Sequence, residues 1–594
     1  MGGQAQTGSD ALAGIALANA GPTRLEATDA RHHPCPFVLS AAGGLAPGAE
    51  LRLLVSPFRA VLDSQCWDQI RLLDVRPSPA FAVELRRRPP ANVDEIFEGY
   101  EDGRTIVLHL TLPEGCPPGA ALEVELGVKP SPHARIDVQV DAEARSGPEE
   151  TFRPVGGRET IAVVAGPPVG LECRARAVAG SLQVSVFARD AHLNVADSYE
   201  GRVELTGPAP GLPRAVELRD GRAVVELEDA GRADGAPLRL EARDPERGWS
   251  AVSNPVCARR PYFGELHFHT VFSGDGGGEL PDAYAYARDV LQLDLCAVTD
   301  HSPVEHWQAT KEIDDAFDDP GRFATLHSWE WSTRHGHANV YLRPPDPPAG
   351  PEREVEAEHP SHLEWPEGTI VIPHHTNIDS SYDDPDYDGP VHWFPYDWSR
   401  RNPAIRLVEV AQCRGNFEAD EIDPAWGIVT EGLGSSVQDA LAMGYRIGFV
   451  GGTDNHSSAP SRDSLKPGEY VGLTGVYAEE LSRAAIWDAL WNRRTFATSG
   501  VPIVGWTRIA GAEMGGEVAG HAGDATFEAE LHGTAAIARV EVIGDREVVW
   551  AADPNEPDVT IRGVVLPPCG WYYVRLRQVD GHRAWFSPVW VDRA

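Results

Sequence analysis

Two histidines stand two residues apart, His267 and His269, at the end of the strand-like segment GELHFHT. Side chains at i and i+2 leave a strand on the same face, so both imidazoles can converge on one ion. An aspartate and a histidine repeat this spacing at Asp454 and His456, after the strand-like RIGFVGG. His301 closes LCAVTDH, Glu330 closes FATLHSWEW, and His374 and His375 close TIVIPHH. A single HxH or TDH triplet is usually a packed pair or a turn, because Asp and Asn favour turns. Five such features at successive strand ends differ in kind. As packing accidents they would bury several imidazoles and carboxylates without partners, which is costly. The set predicts a metal centre, and imidazole with carboxylate suits Mn, Zn or Fe. Adjacent residues on a strand face opposite ways, so only one of His374 and His375 is expected to bind.

The elements that must position these residues alternate between strand and helix. Segments PDAYAYARDVLQ, EHWQATKEIDDAFDD, SVQDALAMG and LSRAAIWDALWNRR have helical spacing and fall between strand candidates. In a β/α barrel the C-terminal strand ends build the active site, which is where the polar residues gather. On either side the texture is different, with short apolar runs such as TIVLHLTL, SLQVSVFARD and WYYVRLRQ separated by Pro- and Gly-rich turns. The expected fold is multidomain, α/β plus β. It comprises an N-terminal β domain over 1–152, an immunoglobulin-like β domain over 153–258, a metal-binding β/α barrel over 259–500 and a C-terminal β domain over 501–594.

At 594 residues the chain is too long for one core. Its hydrophobic content of 42% and charged content of 24% are those of an ordinary globular protein. The formal net charge of −37 repels phosphate backbones, so nucleic-acid binding is not expected as the main task. A small anionic substrate stays admissible, because bound cations supply local positive charge. The eight cysteines (35, 66, 116, 173, 257, 296, 413 and 569) form no CxxC pair, which suits a reducing compartment. The first residues carry no basic start with an apolar run, and no long apolar stretch occurs elsewhere. A cytoplasmic address without membrane contact is expected by default; the oligomeric state is left open.

HFHTVFSGDG, AVTDH, a Glu at a strand end, a downstream His and the late TDNH together resemble the polymerase and histidinol phosphatase (PHP) family, over residues 260 to about 500. The surrounding EWS, GHANVYL, IPHHT, VEV and GGTDNHS are similar to a subgroup with flanking β domains. The resemblance implies a distorted seven-stranded β/α barrel, two or three divalent ions and phosphoester hydrolysis. Carried over by residue, His267, His269, Asp454 and Glu330 would hold one ion. Glu330 would bridge to a second ion, held also by His337 and His374. His301, His456 and Asp275 would hold a third. The chain has SGDG where the family often has SDG, one residue longer, which puts the third site in question. The family's His-Pro motif favours His374 over His375, and its placement of a His before a strand like NVYLR favours His337 over His335. Asp300 is expected to orient a ligand rather than bind.

A water bridging the ions would lose a proton near neutral pH and attack the phosphorus, while the ions offset the developing charge. His301 or Asp275 would assist the leaving group. Arg414, after the strand-like VEVAQ, is the first candidate to anchor phosphate oxygens, with Arg334 and Arg493 behind it. The long segment 344–366 and the stretch HWFPYDW read as loops over the mouth, with Trp331, Trp393 and Trp398 either lining it or capping the barrel. The expected activity is hydrolysis of a small or medium organic phosphate ester. The alternatives are a metal-dependent hydrolase or lyase acting on a non-phosphate bond, and a catalytically silent β-rich binding protein.

Overall fold

The computed structural model describes the chain except for residues 1–11, 13, 28–30, 57–69, 79–83, 86–96, 99–105, 131, 135–136, 229–235, 274–275, 302, 334–335, 346–358, 379, 384–389, 394, 421–433, 457, 461–469 and 594. Strands dominate it: 39 of them stand beside four α-helices among the described residues. None of those helices is long and apolar enough to cross a membrane.

The chain divides into two compact units, one built mainly from residues 1–166 and the other mainly from 167–594. The first unit is a pair of β-sheets. One runs in the order Ile15–Asn19, His33–Ala41, Ala120–Val128, Ile70–Ser78, and the other is centred on Val138–Arg145, Ala49–Ser56 and Ile106–Leu112. Strict alternation puts every second side chain of Ala120–Val128 inside for most of its length. Phe37, Leu39 and Val124 of one sheet share a core with Leu53, Leu108 and Val140 of the other, as in a sandwich.

The second unit begins with another two-sheet arrangement. Gly170–Val178, Ser181–Arg189 and Arg222–Glu228 form one sheet; Ala215–Leu218, Gly201–Thr206, Glu241–Asp244 and Trp249–Val252 form the other. Cys173, Val184, Val203, Leu205 and Ala242 pack between them.

From Tyr262 onward helices enter. Leu280–Asp289 lies between the strands Tyr262–Glu265 and Leu295–Cys296, and Pro303–Phe317 between the latter and Ala324–Thr325. These three strands pair in parallel, as a crossover helix requires. Val437–Ala442 likewise lies between Leu407–Gln412 and Gly448–Gly451, which also pair in parallel. A capping box starts that helix: Ser436 Oγ accepts from Asp439 N, and Asp439 accepts from Ser436 N.

One parallel barrel ladder is not what these strands form. The strands of residues 260–500 that carry the polar residues lie in three sheets, joined by the isolated parallel bridges Phe268↔Asn455 and Val371↔Ile405. The reason is local. Only residues 334–335 separate Ser328–Thr333 from Gly336–Tyr341, and so short a link permits an antiparallel hairpin but no crossover. Ile370–His374 then adds antiparallel to the hairpin. Nor does the ladder stop near residue 500. Thr495–Thr498 pairs with Arg583–Arg593, so Tyr262–Glu265 and the C-terminal strands share one sheet.

Candidate metal centre

The strand Tyr262–Glu265 ends just before the HxH motif, and what aligns the two histidines is a single bridge. Phe268 pairs in parallel with Asn455, the middle residue of the DxH motif. His269 N donates to Asn455 O at 2.7 Å and Asp454 N to His267 O at 2.8 Å. Phe268 goes into the core with Leu280 and Tyr284, so its two neighbours face the other way, alongside Asp454 and His456. Asp454 takes a φ of +55°, the left-handed region that few non-glycine residues other than Asp and Asn occupy.

Glu330 stands at the middle. Its Oε2 lies 3.2 Å from His267 Nε2, 3.1 Å from His269 Nε2 and 4.0 Å from His301 Nε2. Its Oε1 lies 2.8 Å from His337 Nδ1 and 3.2 Å from His374 Nε2. The hairpin register accounts for the second set, because His337 is paired directly with His374 across the sheet. Asp454 Oδ1 lies 3.5 Å from His267, 3.3 Å from His269 and 3.8 Å from His456. Three groups of ligand atoms lie within 4.8 Å of one another: His267, His269, Glu330 and Asp454; His269, His301 and His456; His337, His374 and His375.

Behind these side chains runs a supporting circuit. His267 Nδ1 faces Glu409 Oε2 at 3.0 Å, Gln412 donates to Glu409 at 2.7 Å, and Arg414 donates to Gln412 at 3.1 Å. Arg414 also pairs with Asp454 Oδ2, which closes the loop. A carboxylate on the far nitrogen of a ligating histidine fixes its tautomer and ring angle. Space for Glu409 depends on Gly452: a Cβ there would lie 2.4 Å from Glu409 Oε2 and 2.6 Å from His267 Cβ. His301 Nδ1 bonds Ser332 Oγ at 3.0 Å, and Ser332 donates to Glu330 at 2.9 Å. Asp300 accepts from both N and Oγ of Thr270, at 2.6 and 2.7 Å, and so holds the backbone next to His269.

Burial favours the neutral form of Glu330, but the imidazoles of His301 and His374 reverse this and hold it well below the usual carboxylate range. Asp454 is likewise opposed by burial and pulled well down by Arg414 and His267. Burial lowers His267, yet Asp454 and Glu409 raise it well above an ordinary histidine; His269, buried too, is raised to about 9 by Asp454 and Glu330. His374 and His375 go the other way, lowered first by burial and then by neighbouring imidazoles. The two carboxylates are thus held as anions facing the imidazoles, the form in which they can bind a cation. The Nε2 atoms of His269 and His374 are buried facing Glu330, and the buried Nδ1 of His374 makes no hydrogen bond among the described residues. Seven imidazoles converging with two ionised carboxylates fit a divalent metal.

Of the residues singled out by sequence, the structure brings together His267, His269, His301, Glu330, His337, His374, Asp454, His456 and Arg414. Asp275, Arg334 and His335 lie outside the described residues. Arg493 stands elsewhere: it donates to Glu517 at 2.7 Å and to Gly515 O, and its guanidinium covers Trp590. Trp331 packs with Trp365, and Trp398 is buried against Tyr396 and Tyr445; the Trp393 side chain is outside the described set. Sequence reasoning missed Glu409 and Gln412, although VEVAQ ends a strand beside the HxH. It favoured His374 over His375 and left the choice between them open. All seven described cysteines are free thiols.

Comparison with known proteins gives the following likenesses. A family described as "Protein of unknown function (DUF3604)" matches residues 466–512. An uncharacterized protein of Chlamydia trachomatis is 30% identical over 230 residues, 34% of this chain and 36% of that one. One from Chlamydia pneumoniae is 30% identical over 212 residues, 32% of this chain and 34% of that one. The chain therefore spans about a third of the length of the curated relatives it matches. Among solved structures, a two-domain protein from Bacteroides vulgatus containing a predicted PHP-like metal-dependent phosphoesterase is 16% identical. The likeness covers 55% of this chain and 94% of that one, at a TM-score of 0.30, too slight to bear on the fold.

Proposed function

We propose that this protein is a metal-dependent phosphoesterase of the PHP kind, acting on a small or medium organic phosphate through ions held at the strand ends of residues 260–500. The observation that carries the reading is Glu330, whose two carboxylate oxygens face different sets of imidazoles. A carboxylate so placed could offer one oxygen to each of two cations. His267, His269 and Asp454 would hold one ion with it, His337 and His374 another, and His301 with His456 a third.

When bound, such ions polarise a phosphoryl group and make water acidic enough to attack it near neutral pH. The rest falls to the chain. Arg414 keeps Asp454 ionised and oriented, and its guanidinium is the group that would meet an entering phosphate oxygen. His301, with a side chain 23% exposed, is the most accessible of the seven imidazoles; where no third ion takes its Nε2, that nitrogen is the one placed to pass a proton to a leaving oxygen. Burial of the remaining ligands keeps bulk water from competing with the substrate.

The test is elemental analysis of the purified protein together with p-nitrophenyl phosphate hydrolysis, for wild type and His267→Ala. Two or three equivalents of Mn, Zn or Fe, with hydrolysis reduced to background in the variant, is the expected result. Wild-type protein that takes up no metal, even on reconstitution, sinks the reading. A second reading, hydrolysis or elimination at a non-phosphate bond, is favoured by one observation: Arg414 and Arg493 are already paired with Asp454 and Glu517. Metal without activity on a panel of phosphate esters would move the assignment there.

A further inference from the structure

Neighbouring strand residues face opposite ways, yet the rings of His374 and His375 lie together. The strand Ile370–His374 stops at the first of them, and the second takes a φ of +34°. That left-handed backbone is uncommon for any residue with a Cβ and is found where function holds it in place. It brings the His375 ring centroid to 4.5 Å from that of His374 and 4.8 Å from that of His337. One ring nitrogen from each of the three lies within 4.8 Å of the others. Both His374 and His375 are buried, at 1% and 6% exposure.

We infer that His375 is the third imidazole of a second ion pocket, formed with His337 and His374 and edged by Glu330 Oε1. The inference rests on the metal-hydrolase reading above and adds to it a difference between the pockets. His267, His269, Glu330 and Asp454 offer two nitrogens and two carboxylates, whereas the second pocket offers three nitrogens and one carboxylate. Nitrogen-rich sets favour zinc and cobalt, and carboxylate-rich sets accept manganese. These two pockets are therefore built for unlike ions, a zinc-class ion under the His337 hairpin and a harder one at the HxH.

The test is metal binding by the full-length protein, stripped of metal and titrated with Zn²⁺, Co²⁺ or Mn²⁺ against a chelating dye, with stoichiometry from elemental analysis. His375→Asn and His375→Gly both tolerate the left-handed backbone and remove the imidazole. Wild type is expected to show one equivalent that prefers Zn²⁺ to Mn²⁺. In both variants that equivalent should weaken by at least about 10- to 100-fold, the range already seen when only the partners of ligands are lost. The other equivalent should stay, and added imidazole should restore zinc binding and the Co²⁺ visible spectrum in the Gly variant. Unchanged zinc affinity in both variants overturns the role of His375 alone. Loss of every ion from both variants overturns the division into two pockets. Wild type that binds no ion at all overturns the hydrolase reading as well.

Discussion

At the scale of single residues, the centre depends on side chains that touch no substrate. Glu409 is the clearest, since its carboxylate sits on the far side of His267 at 3.0 Å. Glu409→Gln keeps the shape and removes the charge, and metal affinity should fall about 10- to 100-fold with the fold intact, read by competition with a chelating dye. An unchanged affinity would mean His267 is held by its backbone alone. Proton competition gives a second expectation. His267 and His269 are both raised, the latter to about 9, so near neutral pH His269 carries a proton that a metal must displace and His267 is shifted the same way. Metal affinity should therefore rise with pH, by about tenfold per unit for each proton released, and a flat profile between pH 6 and 8 would contradict the assignment. The candidate ligand types were legible in the sequence because HxH and DxH carry their geometry in their spacing. His375 was not legible, since its orientation comes from one backbone angle of +34° that no spacing rule encodes.

At the scale of elements, the site hangs on joins between short segments. Gly452 lets the DxH segment pass close enough to His267 for Glu409 to reach it. Gly452→Ala puts a methyl group into that contact and should cost about 1–3 kcal/mol of stability, with weaker metal retention; thermal unfolding with and without zinc reads both. Unchanged unfolding would show that the carboxylate can move aside. Helices and strands were largely readable here, down to Pro281 in the first turn of Leu280–Asp289 and the four helical segments. The pairing between strands was harder to read. The three parallel strands follow from their crossover helices, but the hairpin Ser328–Tyr341 carries no helix between its arms and turns antiparallel. Hydrophobic runs announce a strand without naming its neighbour.

At the scale of the molecule, the C-terminal segment shares both ladder and core with the strands that carry the site. Phe496 pairs with Phe586, and Val408, Phe449 and Ala497 pack with Tyr573, Trp585 and Trp590. Glu418, four residues past Arg414, accepts hydrogen bonds from Tyr573, Arg575 and Trp585, the last two at 2.8 Å. A chain ending at residue 500 should therefore aggregate or fail to retain metal, as judged by gel filtration and elemental analysis; a soluble, metal-loaded fragment would refute this. Composition alone suggested a separate β domain there, because a strand's texture does not reveal which sheet it joins. The Phe268↔Asn455 bridge has one further consequence, which concerns synthesis. The two motifs it aligns leave the ribosome roughly 190 residues apart, some ten to forty seconds at about 5–20 residues per second. Until the second motif emerges, the HxH alone is a weak and unselective ligand. On the proposed reading, the choice of ion is thus deferred until the folded pocket exists to make it, whichever metal is most abundant around the growing chain.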